Sequence, residues 1–232
     1  MSVTLSTVRT IVRENLEEPS ARAWTDAELD RWINEGCRDI ARITECLRAS
    51  TTVAVTGGTQ TYTGPTDIVR IYRVQWEPTG STQKYPLEPR EINTLDSVWW
   101  TSQSISTGTP QFFYTWGFPP SVTIGLYPTP TVNGNLRVFY ARLSADVTNG
   151  ATTLDIPEGW HDAVAEYATY RALRRARDPR WQESYARYTE TASNLMATSA
   201  GPGAVWTTAP GLITPRMPVG YPAWLYGDTD GW

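Results

Sequence analysis

One histidine, His161, and two cysteines, Cys37 and Cys46, are the only imidazole and thiol groups in this 232-residue chain. Metal centres usually need more than one such ligand at short spacing, and no C-x-x-C pair is present. No metal and no other cofactor is expected. His161 follows Trp160 at the start of a helical pattern and reads as local structure. Nucleophile-elbow, P-loop and dinucleotide glycine motifs are absent. Carboxylates are numerous enough for a glycosidase pair, but they fall mainly on polar helix faces beside arginines, which reads as solvated surface. The expectation is a protein that is not an enzyme. The one local concentration of charge is Arg171, Arg174, Arg175 and Arg177. Steps of three and four residues put the first three on neighbouring positions of one helix face. Such a cluster either completes a helix C-terminus through its dipole or faces an acidic partner or DNA.

Aromatic side chains are the other chemically distinctive group. Eleven Trp and twelve Tyr stand against four Phe. Trp and Tyr join an apolar body to a polar tip and suit protein–protein contacts, as well as ordinary cores. Five of them, Trp206, Tyr221, Trp224, Tyr226 and Trp232, lie in residues 199–232, a stretch with five Pro and six Gly. So many breakers leave no room for a helix, and a disordered linker is usually poor in aromatics. This segment is expected to be an extended arm that docks on a partner.

The formal net charge is −4 and no long block of either sign occurs, so there is no global nucleic-acid footprint. Nineteen of the twenty basic residues are Arg. That favours bidentate pairing, although a GC-rich genome gives the same bias. Cys37 and Cys46 both fall in one predicted helix, on roughly opposite faces, so they cannot bridge each other; a reducing compartment fits. The start of the chain has no apolar signal segment, and no run of about twenty apolar residues predicts a membrane span.

The elements follow from periodicity. Leu5, Val8, Val12 and Leu16 predict a helix over 4–17. Thr25 and Glu28 form a capping box that opens a second helix, with Leu29, Ile33, Gly36, Ile40, Ile43 and Leu47 on one stripe. Gly36 there predicts a close helix–helix approach. From Ser50 to Leu143 the period is two. Strands are expected at 51–55 and 59–63, joined as a hairpin by Thr56-Gly57-Gly58, and at 68–76, 111–116, 122–127 and 136–143. In the third of these, Ile71, Arg73 and Gln75 should alternate with Tyr72, Val74 and Trp76 as a half-buried strand. A short helix is expected within 89–100. Helical periodicity returns from Pro157 to Arg177 and from Arg180 to Thr198, the latter with Trp181, Tyr185, Tyr188, Ala192 and Leu195 in line. The fold class is α+β: a four-helix core built from N- and C-terminal helix pairs (1–49 and 157–198), a β-rich insertion (50–156) and an extended C-terminal arm (199–232). Trp32, Ile33, Ile40, Val164, Tyr167 and Tyr188 are expected to be buried where the helix pairs meet.

Three stretches carry a resemblance. The first is Val8-Arg9 to Arg13, then Trp24-Thr25-Asp26-Ala27-Glu28-Leu29-Asp30-Arg31-Trp32-Ile33-Asn34-Glu35-Gly36 and Arg38-Asp39-Ile40-Ala41. The second comprises Leu87-Glu88-Pro89, Gly108-Thr109-Pro110 with Phe112-Phe113-Tyr114, and Ile124-Gly125-Leu126-Tyr127-Pro128. The third is Leu154 to Val164 with Tyr167-Ala168 and Tyr170-Arg171-Ala172-Leu173. In this order they resemble the head–tail adaptor (connector, neck) proteins of tailed bacteriophages, over about residues 5–195. The resemblance implies a ring, commonly of twelve copies, between the portal protein and a tail or nozzle protein in the virion neck. It would be assembled in the host cytoplasm and extend a channel through which DNA passes without specific binding. The reading from another class is a carbohydrate-binding module that uses exposed Trp and Tyr of the β region.

Overall fold

Thr4 accepts a hydrogen bond from the Thr7 amide and opens α1 (Leu5–Asn15), which buries Leu5, Val8 and Val12 completely. In the computed structural model residues 3–18, 23–92 and 107–199 are described. Both halves of the expected capping box are present at α2 (Asp26–Thr44): Thr25 accepts from the Glu28 amide, and Glu28 from the Thr25 amide. This helix stops before Cys46 and Leu47, which had been expected within it. The Thr44 hydroxyl turns back to the Ile40 carbonyl, and Glu45 adopts a left-handed conformation with φ 51°. Its carboxylate is held by Tyr72 at 2.8 Å and Arg70 at 3.4 Å, where the chain leaves the helix. Both cysteines are free. Burial pushes the Cys37 thiol up to about 12, so it is unreactive core rather than a nucleophile.

The β region contains β1 (Arg48–Val55), β2 (Thr61–Thr63), β3 (Ile68–Pro78), β4 (Tyr85–Pro89), β5 (Thr107–Gly108), β6 (Phe112–Trp116), β7 (Thr123–Tyr127), β8 (Thr129–Pro130) and β9 (Gly134–Arg142). Seven strands form one sheet in the order β1-β9-β3-β4-β6-β7-β2, antiparallel except for β4 with β6. The parallel pair β5 and β8 stands apart. The expected hairpin of β1 with β2 is not formed. β1 pairs along all eight residues with β9, from Arg48 opposite Ala141 to Val55 opposite Gly134, while β2 pairs with β7. The turn itself is present, with the Thr59 amide on the Thr56 carbonyl. It connects the two outermost strands of the sheet order, so the sheet must curl toward closure. Val74, Trp76, Leu87, Phe113, Ile124, Leu126, Leu136 and Val138 fill its inner face. Regular alternation in β3 also fails. Irregularities in its register with β9, between Ile68 and Arg70 and between Ile71 and Arg73, shift the pattern, and Val74, Gln75 and Trp76 are buried in succession. Gly125 is required on β7 because the ring of Tyr114, its partner on β6, lies across it, with ring carbons within 2.5 Å of where a Cβ would stand. The helix expected over 89–100 falls mostly outside the described residues; Pro89 ends β4.

The third helix, α3 (His161–Ala176), starts later than Pro157. Gly159, at φ 87°, breaks the helical path, and the Trp160 amide closes a turn on the Pro157 carbonyl. It ends at Arg177 in a left-handed conformation, whose amide reaches Leu173 and Arg174. After Asp178-Pro179 comes α4 (Trp181–Ser199). Buried side chains of all four helices form one cluster. Leu47, Leu154 and Ile156 complete it, so the chain flanking the sheet contributes to this core alongside the helices. The close approach expected at Gly36 is present: a Cβ there would stand 3.1 Å from the Tyr167 ring on α3. Residues up to Ser199 make one compact unit.

Candidate partner-binding surface

The segment Trp24–Gly36 has a physical duty at nearly every residue, and most of its contacts reach other elements. Asp26 and Asp30 fasten α2 to α1. Arg9 makes a two-pronged contact with Asp30 at 2.7 Å on both oxygens and reaches Asp26 at 3.1 Å. Arg13 donates to Asp26 at 2.6 Å and to the Trp24 carbonyl at 3.0 Å. The hydrogen bond from Arg13 holds the Asp26 carboxyl below its usual range, and the bond to Asp30 raises Arg9. Trp24 meets Trp32 edge-on at 5.4 Å. Asn34 donates to the Asp30 and Val147 carbonyls at 2.9 Å and accepts from the Val147 amide at 2.8 Å, which clamps the loop after β9 onto α2.

The outward side of the same helix meets α3 in a row of charges. Glu28 pairs with Arg175, and Glu35 with Arg171 at 3.0 Å. Arg31 reaches the other oxygen of Glu35 only at 3.8 Å. Trp32 is 2% exposed and forms a floor, with the guanidinium groups of Arg31 and Arg175 at 5.7 and 5.9 Å from its ring. Arg174 lies over Trp181 at 5.8 Å. Arg31, Trp32, Arg171, Arg174 and Arg175 together line an open recess of about 550 Å³. Four cations against two carboxylates leave the recess with an excess of positive charge.

Three members of the predicted cluster, Arg171, Arg174 and Arg175, are therefore brought together, while Arg177 sits exposed at the end of α3 and does not line the recess. Arg31 was missed by the sequence reading; its signal was its position beside Trp32 and one turn before Glu35. Of the expected core residues, Trp32, Ile33, Ile40, Val164 and Tyr188 are buried and Tyr167 is half-buried. Tyr188 donates to Asp39 and so ties α4 to α2. The arm residues Trp206, Tyr221, Trp224, Tyr226 and Trp232 lie outside the described residues. His161 is buried, its Nε2 has no hydrogen-bond partner, and burial lowers its pKa. Among the described residues no group of three or more His, Cys, Asp or Glu is placed to hold a metal ion, and no helix is long and apolar enough to cross a membrane.

Ion pairs, an edge-on ring contact and backbone clamps thus tie α1, α2, α3 and the loop after β9 to one another. A profile of the SU10 adaptor protein family matches residues 3–209, and the chain belongs to that family. This agrees with the head–tail adaptor resemblance carried by the three stretches over about residues 5–195. No curated protein matches the chain. Among solved structures, a chain described as the neck of an empty GTA particle is similar over 75% of this chain and 83% of its own, at 13% identity and a TM-score of 0.28. At that level the two folds are only distantly alike.

Proposed function

We propose that the chain is a head-to-tail adaptor that forms an oligomeric ring, of about twelve copies, in the neck of a phage particle. The ring seats on the portal protein, receives a tail or nozzle protein on its other side and lengthens the DNA channel. The observation that carries this reading is the adaptor-family match over residues 3–209, which takes in the helices and the sheet alike. Assembly takes place in the host cytoplasm, before the particle is complete. In this reading the N- and C-terminal helix pairs (1–49 and 157–198) act as one four-helix platform, the β insertion (50–156) meets neighbours, and residues 199–232 are a docking arm with Trp206, Tyr221, Trp224, Tyr226 and Trp232 as anchors. Aromatic anchors commonly carry about 2 kcal/mol or more of binding each. DNA must slide through such a ring, so the lumen is neutral or acidic and tight duplex binding is not expected; the net charge of −4 agrees with that.

Trp116 and Phe118, 64% and 75% exposed beside the β6–β7 turn, are the observation that favours a carbohydrate-binding module instead. Light scattering on a sizing column, with and without oligosaccharide, separates the two. A concentration-dependent oligomer supports the adaptor, and a monomer with saturable sugar binding supports the module. A chain truncated after Ala200 should keep its fold and assemble poorly. Undiminished assembly removes the docking role of the arm, and failure to fold would show that the arm folds back on its own subunit.

A further inference from the structure

The recess between α2 and α3 has more positive charge than its own partners neutralise. Four guanidinium groups, those of Arg31, Arg171, Arg174 and Arg175, line it. Glu28 and Glu35 are the only carboxylates within ion-pair distance of them among the described residues, and Glu35 is shared between Arg171 at 3.0 Å and Arg31 at 3.8 Å. Two positive charges are left over, and both Arg31 and Arg174 are exposed. With Trp32 only 2% exposed, an incoming group meets the guanidinium planes rather than the indole. Those planes accept carboxylates through paired N–H donors and stack on aromatic rings.

One stretch of this chain has matching chemistry. Residues 224–232 read Trp-Leu-Tyr-Gly-Asp-Thr-Asp-Gly-Trp, with Asp228 and Asp230 as the only charged side chains after Arg216. Two negative charges flanked by Trp224 and Tyr226 on one side and Trp232 on the other complement the two surplus positive charges of an open, guanidinium-lined recess. The 25 residues that follow Ser199, up to Trp224, can span at most about 80–90 Å, enough to reach an adjacent molecule. We propose that the recess receives residues 224–232 of a second copy, the aspartates pairing with Arg31 and Arg174 and the aromatic rings lying on the guanidinium planes. This rests on the adaptor reading in one respect, that copies lie side by side, and it gives the docking arm its acceptor.

The test is fluorescence anisotropy of a labelled peptide of residues 221–232 titrated with the full chain. Saturable binding is expected. It should weaken at least about tenfold in R31E/R174E, two exposed positions at which circular dichroism checks that the fold is retained, and by a similar factor with the D228K/D230K peptide. It should return when the reversed peptide meets the reversed recess. Equal binding to wild type and R31E/R174E overturns the proposal. So does peptide binding seen only when the chain itself carries D228K/D230K, which would place each arm in its own recess. Duplex DNA with the same label, bound in an Arg31- and Arg174-dependent way while the peptide is not, would make the recess a phosphate surface and overturn it as well. Peptide binding as predicted by a chain that never oligomerises keeps this site and removes the adaptor reading. Rings indifferent to R31E/R174E, with no peptide binding, do the reverse.

Discussion

Asn34 shows how much one polar side chain can hold in place. It is buried on α2 and supplies both donor and acceptor to Val147, which lies 113 positions away in the sequence. Asn34→Ala leaves the Val147 amide and carbonyl without these partners, and should lower unfolding stability by about 2–3 kcal/mol. Urea denaturation measures it; a change under about 0.5 kcal/mol would show that the loop is held by other contacts. His161 predicts a pH effect. Burial lowers its folded-state pKa, so below about pH 6.5 the unfolded chain takes up a proton that the folded chain does not. Stability is full above that pH and declines as pH falls toward the folded pKa. Glu166, on the same helix, is pushed up by burial and acts in the opposite sense, so the difference between wild type and H161Q is the informative quantity. Wild type should lose stability relative to H161Q between pH 7 and pH 5 in thermal melts. A difference that stays constant across that range contradicts a buried neutral imidazole. These residue-scale roles were only partly legible. Arg171, Arg174 and Arg175 stood out as a run, whereas Arg31 and Asn34 act on partners that only the folded chain brings near.

At the scale of elements, the helices were readable because their signals are local. Thr25 and Glu28 fix the start of α2, and Gly36 advertised the approach of Tyr167. Those two features set the next prediction. Ile40 is fully buried, so Ile40→Ala should cost about 2–5 kcal/mol. Gly36→Leu must force Tyr167 aside and should cost about 1–3 kcal/mol despite better helix propensity. An unchanged melting midpoint in both variants would mean that α2 is not wedged between its neighbours. The sheet was legible as strands but not as pairings. Thr56-Gly57-Gly58 does make a turn, yet β1 takes β9 as its partner, from the far end of the β region. Local alternation states which face of a strand is buried and says nothing of which strand lies beside it. The displaced end of α2 also involves residues distant in the sequence, whereas the late start of α3 is set locally by Gly159. Glu45, where α2 ends, has its carboxylate held by Tyr72 and Arg70, and those residues belong to β3.

At the scale of the whole molecule, α1 is bolted to α2 by Arg9, Arg13, Asp26 and Asp30, and α2 is joined to α3 by Glu28 and Glu35. The family match spans these helices and the sheet, and Trp24–Gly36, within one of the three stretches that carry the resemblance, is also a segment that joins the helices. The central claim is that many copies of this scaffold form a ring in the neck of a phage particle. An averaged electron-microscopy reconstruction of that neck is the most direct measurement. It should show, between capsid and tail, a ring of repeated subunits into each of which residues 3–199 fit, with a central channel wide enough for duplex DNA. A neck without that ring, or density for this chain found only on an outer appendage of the particle, would contradict the account.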